Sequence, residues 1–279
     1  MNKLPDNKFN HSIFQEVSNM LHNKAVRLFL ILGGFFIANA LIAEFMGVKI
    51  FSLERTIGKE PVNWMIFGGK WNFDLSAGVL LWPVVFIMTD IINEYYGRRG
   101  VKFLSWLGAG LIAYAFFMFA GSIRLAPADW WGASQQARGV ADMNQSFNGI
   151  FGQGMGIIIG SLVAFIAAQI LDVTVFHQIK KWTGEKYLWL RSTGSTLISQ
   201  LIDTFAVVSI AFYFYPMLIP GNGAPWSIQQ VLTVCAGGYL YKFIVAVLMT
   251  PVIYGVHFII EKYLGEELAA ELKSKAAMS

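Results

Sequence analysis

Along this chain the apolar residues neither alternate nor recur in a narrow stripe. They come in long runs of roughly 20 residues, the length that carries a helix across a hydrocarbon core about 30 Å thick. Six runs stand between polar clusters, at 28–47, 75–96, 103–122, 150–178, 194–219 and 228–260. The pattern predicts an all-α membrane protein, a six-transmembrane-helix bundle with two longer external loops at 48–74 and 123–149. The Gly, Trp and Asn content of those loops suits hairpins or partly re-entrant segments. Gly237, Gly238 and Pro251 in the last run, and Pro83 in the second, mark points where a helix could bend. Before the first run, Phe9, Ile13, Phe14, Val17, Met20 and Leu21 recur at helical spacing. That spacing fits a short helix lying on the cytoplasmic surface or an ordinary helical extension. The segment lacks a small-residue cleavage site after a short apolar core, so a cleaved signal peptide is not expected. The organisation read from the pattern is a cytoplasmic segment over 1–27, a six-span domain over 28–260 and a cytoplasmic tail over 261–279.

Composition agrees with the bilayer as solvent. The chain has 279 residues, 56% hydrophobic and only 14% charged, against about 25% charge in soluble domains. Its lone cysteine, Cys235, excludes an internal disulfide framework and a thiolate zinc site. A net charge of +4 does not indicate nucleic acid, because the basic residues flank the apolar runs instead of forming one face. Of the 21 Lys and Arg residues, 14 fall on the side that holds both termini and the second and fourth loops. Six fall on the other side and Lys242 lies inside a span. Positive charge accumulates in the cytoplasm, so both termini are expected inside.

Polar residues inside the spans are the candidates for chemistry, since each costs about 2.5–3.5 kcal/mol at mid-membrane on insertion scales. In the second run Asp90 and Glu94 are four apart and share a face with Asn93, beside Thr89. Glu94, three residues before Gly97, could also reach cytoplasmic water. The fourth and fifth runs echo one another, with Gln169 and Asp172 in Q-I-L-D and Gln200 and Asp203 in Q-L-I-D. From the helical rise Asp172 lies about 12 Å from Lys180 and Asp203 about 18 Å from Arg191, which permits comparable depths. Ser195, Thr196 and Ser199 extend the polar face, as a cavity lining or as contacts between helices. Asn39 falls near mid-membrane in the first run, and Glu44 reads as an exposed charge near the outer interface. Lys242 needs a carboxylate, and Asp90 or Asp203 is its natural partner. Gly33 and Gly34 leave helix packing within the bundle and a homodimer equally open.

The run W-P-V-V-F-I-M-T-D-I-I-N-E-Y-Y-G-R-R resembles the second-span signature of the queuosine precursor transporters, six-helix proteins of the bacterial inner membrane. A-N-A-L-I-A, S-L-V-A-F-I-A-A-Q-I-L-D-V and W-L-R-S-T-G-S-T-L-I-S-Q-L-I-D-T are similar to the family's other signatures, as are Lys242 and the Thr250–Pro251 pair. The resemblance implies import of 7-deazaguanine bases, chiefly 7-cyano-7-deazaguanine and secondarily 7-aminomethyl-7-deazaguanine, for queuosine modification of tRNA. It implies substrate contact by Asn39, Asp90, Asn93, Glu94, Gln169, Asp172, Gln200, Asp203 and Lys242. It calls for no cofactor, no metal and no nucleic-acid partner, only a small base and the lipid bilayer. One departure is Gly156, where many members carry an arginine.

Other classes compete. Asp90, Glu94, Asp172 and Asp203 could hold magnesium for a membrane transferase, although only Lys242 lies at depth to meet a phosphate. A substrate-capture subunit of an energy-coupled vitamin importer, or an assembly protein with polar helix contacts, would use similar residues. No P-loop is present, so ATP is not a direct energy source in this chain. Proton coupling and facilitated diffusion are both left open.

Overall fold

The computed structural model describes residues 19–20, 22–152, 155–184, 186–219 and 224–278. The expected N-terminal surface helix falls outside these, apart from Asn19 and Met20. Five helical segments are long and apolar enough to cross a membrane: Lys24–Met46, Trp82–Ile123, Met143–Thr183, Leu188–Leu218 and Ile228–Leu264.

Helix α1, Lys24–Met46, starts where the Asn23 side chain accepts the Ala25 N–H, satisfying one orphan donor of the first turn. Leu28, Leu32, Phe36, Ala40 and Ala43 form its buried line. The opposite side, with Leu30, Ile31, Phe35 and Ile42, is exposed and equally apolar, as befits a helix whose solvent is lipid. Gly33 is taken up by internal contact, since a Cβ there would lie 2.9 Å from the Leu104 side chain, whereas Gly34 faces open space.

Helix α2, Trp82–Ile123, opens with Pro83 in its first turn and runs 42 residues, about twice what a bilayer requires. Gly97, at φ 68° and ψ −171°, interrupts it. Only glycine takes that conformation at little cost, and contacts with α1 show what it does. Gly78, just before α2, sits against the Ala43 carbonyl near the C-terminal end of α1. Tyr96 Oη donates to the Ala25 carbonyl at 2.7 Å, near its N-terminal end. Leu104 then meets Gly33, and Phe116 and Phe119 return to Phe45 with ring centroids 6.2 and 5.0 Å away. The chain thus descends along α1 over 82–96, reverses at one residue and climbs back over 98–123. The second loop expected around Arg98, Arg99 and Lys102 is therefore the first turn of the returning arm.

Helix α3, Met143–Phe151, precedes α4, Met155–Thr183. Helix α5, Leu188–Val208, passes into a π-helical turn, Ser209–Phe214. Gly160 approaches the Val207 carbonyl in that region, and a Cβ at Gly156 would lie 2.6 Å from the Tyr215 ring. Tyr215 therefore occupies the space that an arginine at 156 would need. Helix α6, Ile228–Leu264, begins at a Ser227–Gln230 capping box and continues through Gly237, Gly238 and Pro251. Gly265, at φ 88°, turns the chain into α7, Glu266–Ala277.

The first long loop corrects the all-α expectation. It holds two nested antiparallel pairs, β1 (Ile50–Ser52) with β4 (Asp74–Ser76) and β2 (Trp64–Ile66) with β3 (Gly69–Trp71). Phe67 and Gly68, both with positive φ, make the two-residue turn that suits twisted strands. Hairpins, of the two alternatives, form this loop. The β2–β3 hairpin is tied to α6, where Gln229 Nε2 donates to the Phe67 carbonyl at 2.8 Å and Thr233 Oγ1 to the Ile66 carbonyl at 2.9 Å.

Candidate functional site

The descending arm of α2 interrupts an apolar core with four consecutive-turn polar residues. Thr89, Asp90, Asn93 and Glu94 are each at most 1% exposed. Opposite them, α4 offers Gln169, Asp172, His177 and Lys180, spaced to share one face, and α5 offers Arg191, Ser192, Ser195 and Ser199. All of these are buried. Buried polar groups must find partners or pay for lost hydration, and here they sort into three levels.

At the level of Gly97, Glu94 is enclosed by two cations. Its Oε1 lies 2.8 Å from Arg191 Nη2 and its Oε2 3.1 Å from Lys180 Nζ. Arg191 also donates to the Gly184 carbonyl at 2.9 Å, and Asn93 Oδ1 lies 2.7 Å from His177 Nε2. Glu94 does not snorkel to water, since it is wholly buried. This cluster ties α2, α4 and α5 together at one end of the bundle.

One turn further in, Ser192 donates to Asp90 Oδ2, and Ser199 donates to Asp172 Oδ1 at 3.1 Å. Beyond them Lys242 Nζ meets Asp203 Oδ2 at 2.7 Å, which selects Asp203 between the two partners expected for that lysine. Thr89 Oγ1 donates to Gln169 Oε1 at 3.1 Å. Asn39 donates to the Phe35 carbonyl of its own helix at 2.8 Å. Glu44 is buried, not exposed as expected, with Ser161 in hydrogen-bonding reach.

A cavity with about 40 Å³ of room for the centres of water-sized molecules opens between the descending arm, α5 and α6. Trp82, Phe86, Ile87 and Asp90 line it from α2, Thr193, Thr196 and Gln200 from α5, and Tyr241, Lys242 and Met249 from α6. Thr193 Oγ1 meets Thr250 Oγ1 at 2.9 Å where α5 and α6 close. Among the described residues Asp90 Oδ1 and both amide atoms of Gln200 have no hydrogen-bond partner. A carboxylate oxygen, an amide and an ammonium thus share an otherwise apolar, aromatic wall.

Of the candidates drawn from the sequence, Asp90, Gln200 and Lys242 line this cavity, and Asp203 joins through Lys242. Asn39, Asn93, Glu94, Gln169 and Asp172 do not. The four carboxylates do not converge either: among the described residues no three His, Cys, Asp or Glu side chains form a metal-sized group. Ser192, Thr193, Tyr241 and the pairing of Arg191 and Lys180 with Glu94 were not singled out. A cation supplied by another helix leaves no spacing signal, but S-T directly after Arg191 continues the polar stripe of Ser195 and Ser199 and could have been read.

A family described as "Putative vitamin uptake transporter" matches residues 76–256, the stretch that carries every residue of the cavity. A "Probable queuosine precursor transporter" of Bacillus subtilis is 33% identical over 187 residues, 65% of this chain and 72% of its own length. A protein of the same description from Haemophilus influenzae is 24% identical over 191 residues, 66% of this chain and 69% of its own. The "Queuosine precursor transporter" of Escherichia coli is 25% identical over 190 residues, 66% of this chain and 73% of its own. No solved structure matches.

Proposed function

The chain belongs to the queuosine precursor transporter family, and from that premise we propose that it imports 7-deazaguanine bases, chiefly 7-cyano-7-deazaguanine, for queuosine modification of tRNA. It is a multi-pass membrane protein whose relatives are named as transporters, not enzymes. The reversal at Gly97 supports six crossings, and the basic asymmetry supports cytoplasmic termini with the hairpin loop outside.

The observation that carries this reading is the unpartnered Asp90 Oδ1 and Gln200 amide on one cavity wall. A 7-deazaguanine base presents N1–H and an exocyclic amine side by side, and a carboxylate accepts both. Its O6 is an acceptor for the Gln200 amide or Lys242. Its flat ring would lie against Phe86, Trp82 or Tyr241, where stacking adds about 0.5–1.5 kcal/mol beyond burial. The contact set is Asp90, Gln200 and Lys242, with Asp203 orienting the lysine.

The test is queuosine content of tRNA in cells that cannot make the precursor, with and without this protein, joined to uptake of labelled 7-cyano-7-deazaguanine. Asp90→Asn should insert normally and lose uptake by roughly 10- to 150-fold, the worth of a hydrogen bond to a charged group, about 1.5–3 kcal/mol. Hypoxanthine, which lacks the amine, should compete worse than guanine, and sites built on such a pair reject the analogue by up to about 10⁴. Unchanged queuosine, or equal competition by hypoxanthine and guanine, would refute the assignment.

A further inference from the structure

The carboxylates of the bundle form a file along α5, and their companions differ with position. Asp203 at one end has Lys242, and Glu94 at the other has Arg191 and Lys180. Asp90 and Asp172, between them, take part in no ion pair among the described residues. Each is held by serine alone: Ser192 on Asp90, and Ser199 on Asp172 with Ser195 in reach. Ser192, Ser195 and Ser199 follow at three and four residues, so they form one stripe on α5. The stripe places the two acids within about 10 Å of one another along the helix, close enough to repel.

Among the described residues each acid also keeps one oxygen with no hydrogen-bond partner, Asp90 Oδ1 and Asp172 Oδ2, although both residues are at most 1% exposed. Two buried carboxylates about 10 Å apart, neither of them ion-paired among the described residues, repel one another in a low-dielectric interior, and no paired counter-charge offsets their burial. The groups facing Asp90 are Asp172 from α4, Arg191 and Ser192 from α5, Lys242 from α6 and Glu94 from its own arm. Arg191 is engaged by Glu94 and Lys242 by Asp203. Those facing Asp172 are Asp90 from α2 and the serines from α5. Asp90 borders the cavity and Asp172 does not, which divides the roles.

We infer that the chain is a proton symporter, in which Asp172 carries the proton that accompanies the substrate while Asp90 stays ionised to bind it. The inference rests on the substrate reading given above. When the base donates its N1–H and amine to Asp90, that carboxylate must be ionised, and the proton resides on Asp172. The proton comes from outer water as an O–H bond formed on the Asp172 carboxylate, and leaves by the same bond breaking to cytoplasmic water once the base departs. No electron moves, and one positive charge crosses with each neutral base.

The test uses the purified full chain in liposomes that contain a pH-sensitive dye, with labelled 7-cyano-7-deazaguanine. Adding the base outside should acidify the lumen, and a gradient of one pH unit, acid outside, should support about tenfold accumulation at one proton per base. Asp172→Asn should keep exchange of labelled for unlabelled base while losing acidification and the accumulation. Asp172→Glu should restore both. Accumulation and lumen pH in the unaltered protein that ignore the gradient while exchange persists would overturn the inference alone. So would undiminished acidification by Asp172→Asn. Absence of exchange in the unaltered protein would instead overturn the substrate reading and this inference with it. Should Asp172→Asn fail to insert, the unaltered protein and Asp172→Glu still decide.

Discussion

The indole of Trp71 stands where a side chain at position 237 would begin: a Cβ on Gly237 would lie 1.8 Å from Trp71 Nε1. The tryptophan is 6% exposed and joins Trp64 and Phe73 in an aromatic cluster, with its ring 4.4 Å from that of Phe73. Gly237→Ala should therefore lift the hairpin from α6, because a buried, rigid indole ring and not a flexible tip blocks the methyl. A cysteine introduced at Met65 should label faster in that variant, and uptake should fall. Gly238→Ala is the control, since its nearest neighbour would be the Thr204 methyl at 3.6 Å. Equal labelling in the two variants would show that Gly237 does not seat the hairpin.

Removing one member of the Glu94 cluster should be far worse than removing any surface ion pair. Breaking a buried pair leaves an uncompensated charge and costs about 3–5 kcal/mol. Arg191→Ala should show that loss as a lower melting temperature in detergent, and Lys180→Ala a smaller one, because Arg191 also holds the Gly184 carbonyl. Lys275→Ala, which breaks an exposed pair with Glu271, should change stability by well under about 1 kcal/mol.

The loop outside the spans should respond to pH through Glu54. Burial alone would raise this acid, but the Phe73 N–H, at 2.9 Å, and the Ser52 hydroxyl outweigh it and hold the carboxyl below its usual 4.5. A depressed acid stabilises the fold at pH above its unfolded value, and that contribution vanishes as pH falls through the folded value. Protection of the Phe73 amide from exchange, relative to its intrinsic rate at each pH, should therefore fall below about pH 4.5 in the unaltered protein. Glu54→Gln should exchange faster at neutral pH and lose most of the acid dependence. A parallel pH response in both would remove Glu54 as the cause.

Orientation is open to reporter fusions. One at Pro127 should report the outside and one at Lys181 the cytoplasm, following the excess of basic residues near the termini. The reverse pattern would invert the sidedness of the proton and of the hairpin loop.

The spans were legible because lipid demands about 20 apolar residues whatever the neighbours are. Helix α1 lies within four residues of its expected run at its N-terminal end and one at its C-terminal end. Asp90, Gln200 and Lys242 were legible for the same reason, since polarity at that depth stands out against Ile, Val and Phe. Gly97 was visible only as a loop residue, because sequence does not reveal a φ of 68°. The partners of Glu94 were not legible, as Lys180 and Arg191 read as ordinary cytoplasmic flanking charges, and only tertiary contact turns them inward. The strands at Trp64–Ile66 and Gly69–Trp71 were hidden by their length, three residues each, too short for alternation to register.

Helix α7 lies beyond the matched family region, which ends at 256, yet it is no loose appendage. Ala269 and Ala276 are buried, Leu268 and Leu272 rest on the main core, and Lys273 bonds Glu261 at 2.5 Å while standing 5.5 Å over the Tyr95 ring. Tyr95 directly follows Glu94 on the arm that bears Asp90. A tail outside the shared region is thus packed against the arm that bears Asp90, so shortening it would uncover part of the main core and strip Tyr95 of its neighbouring cation.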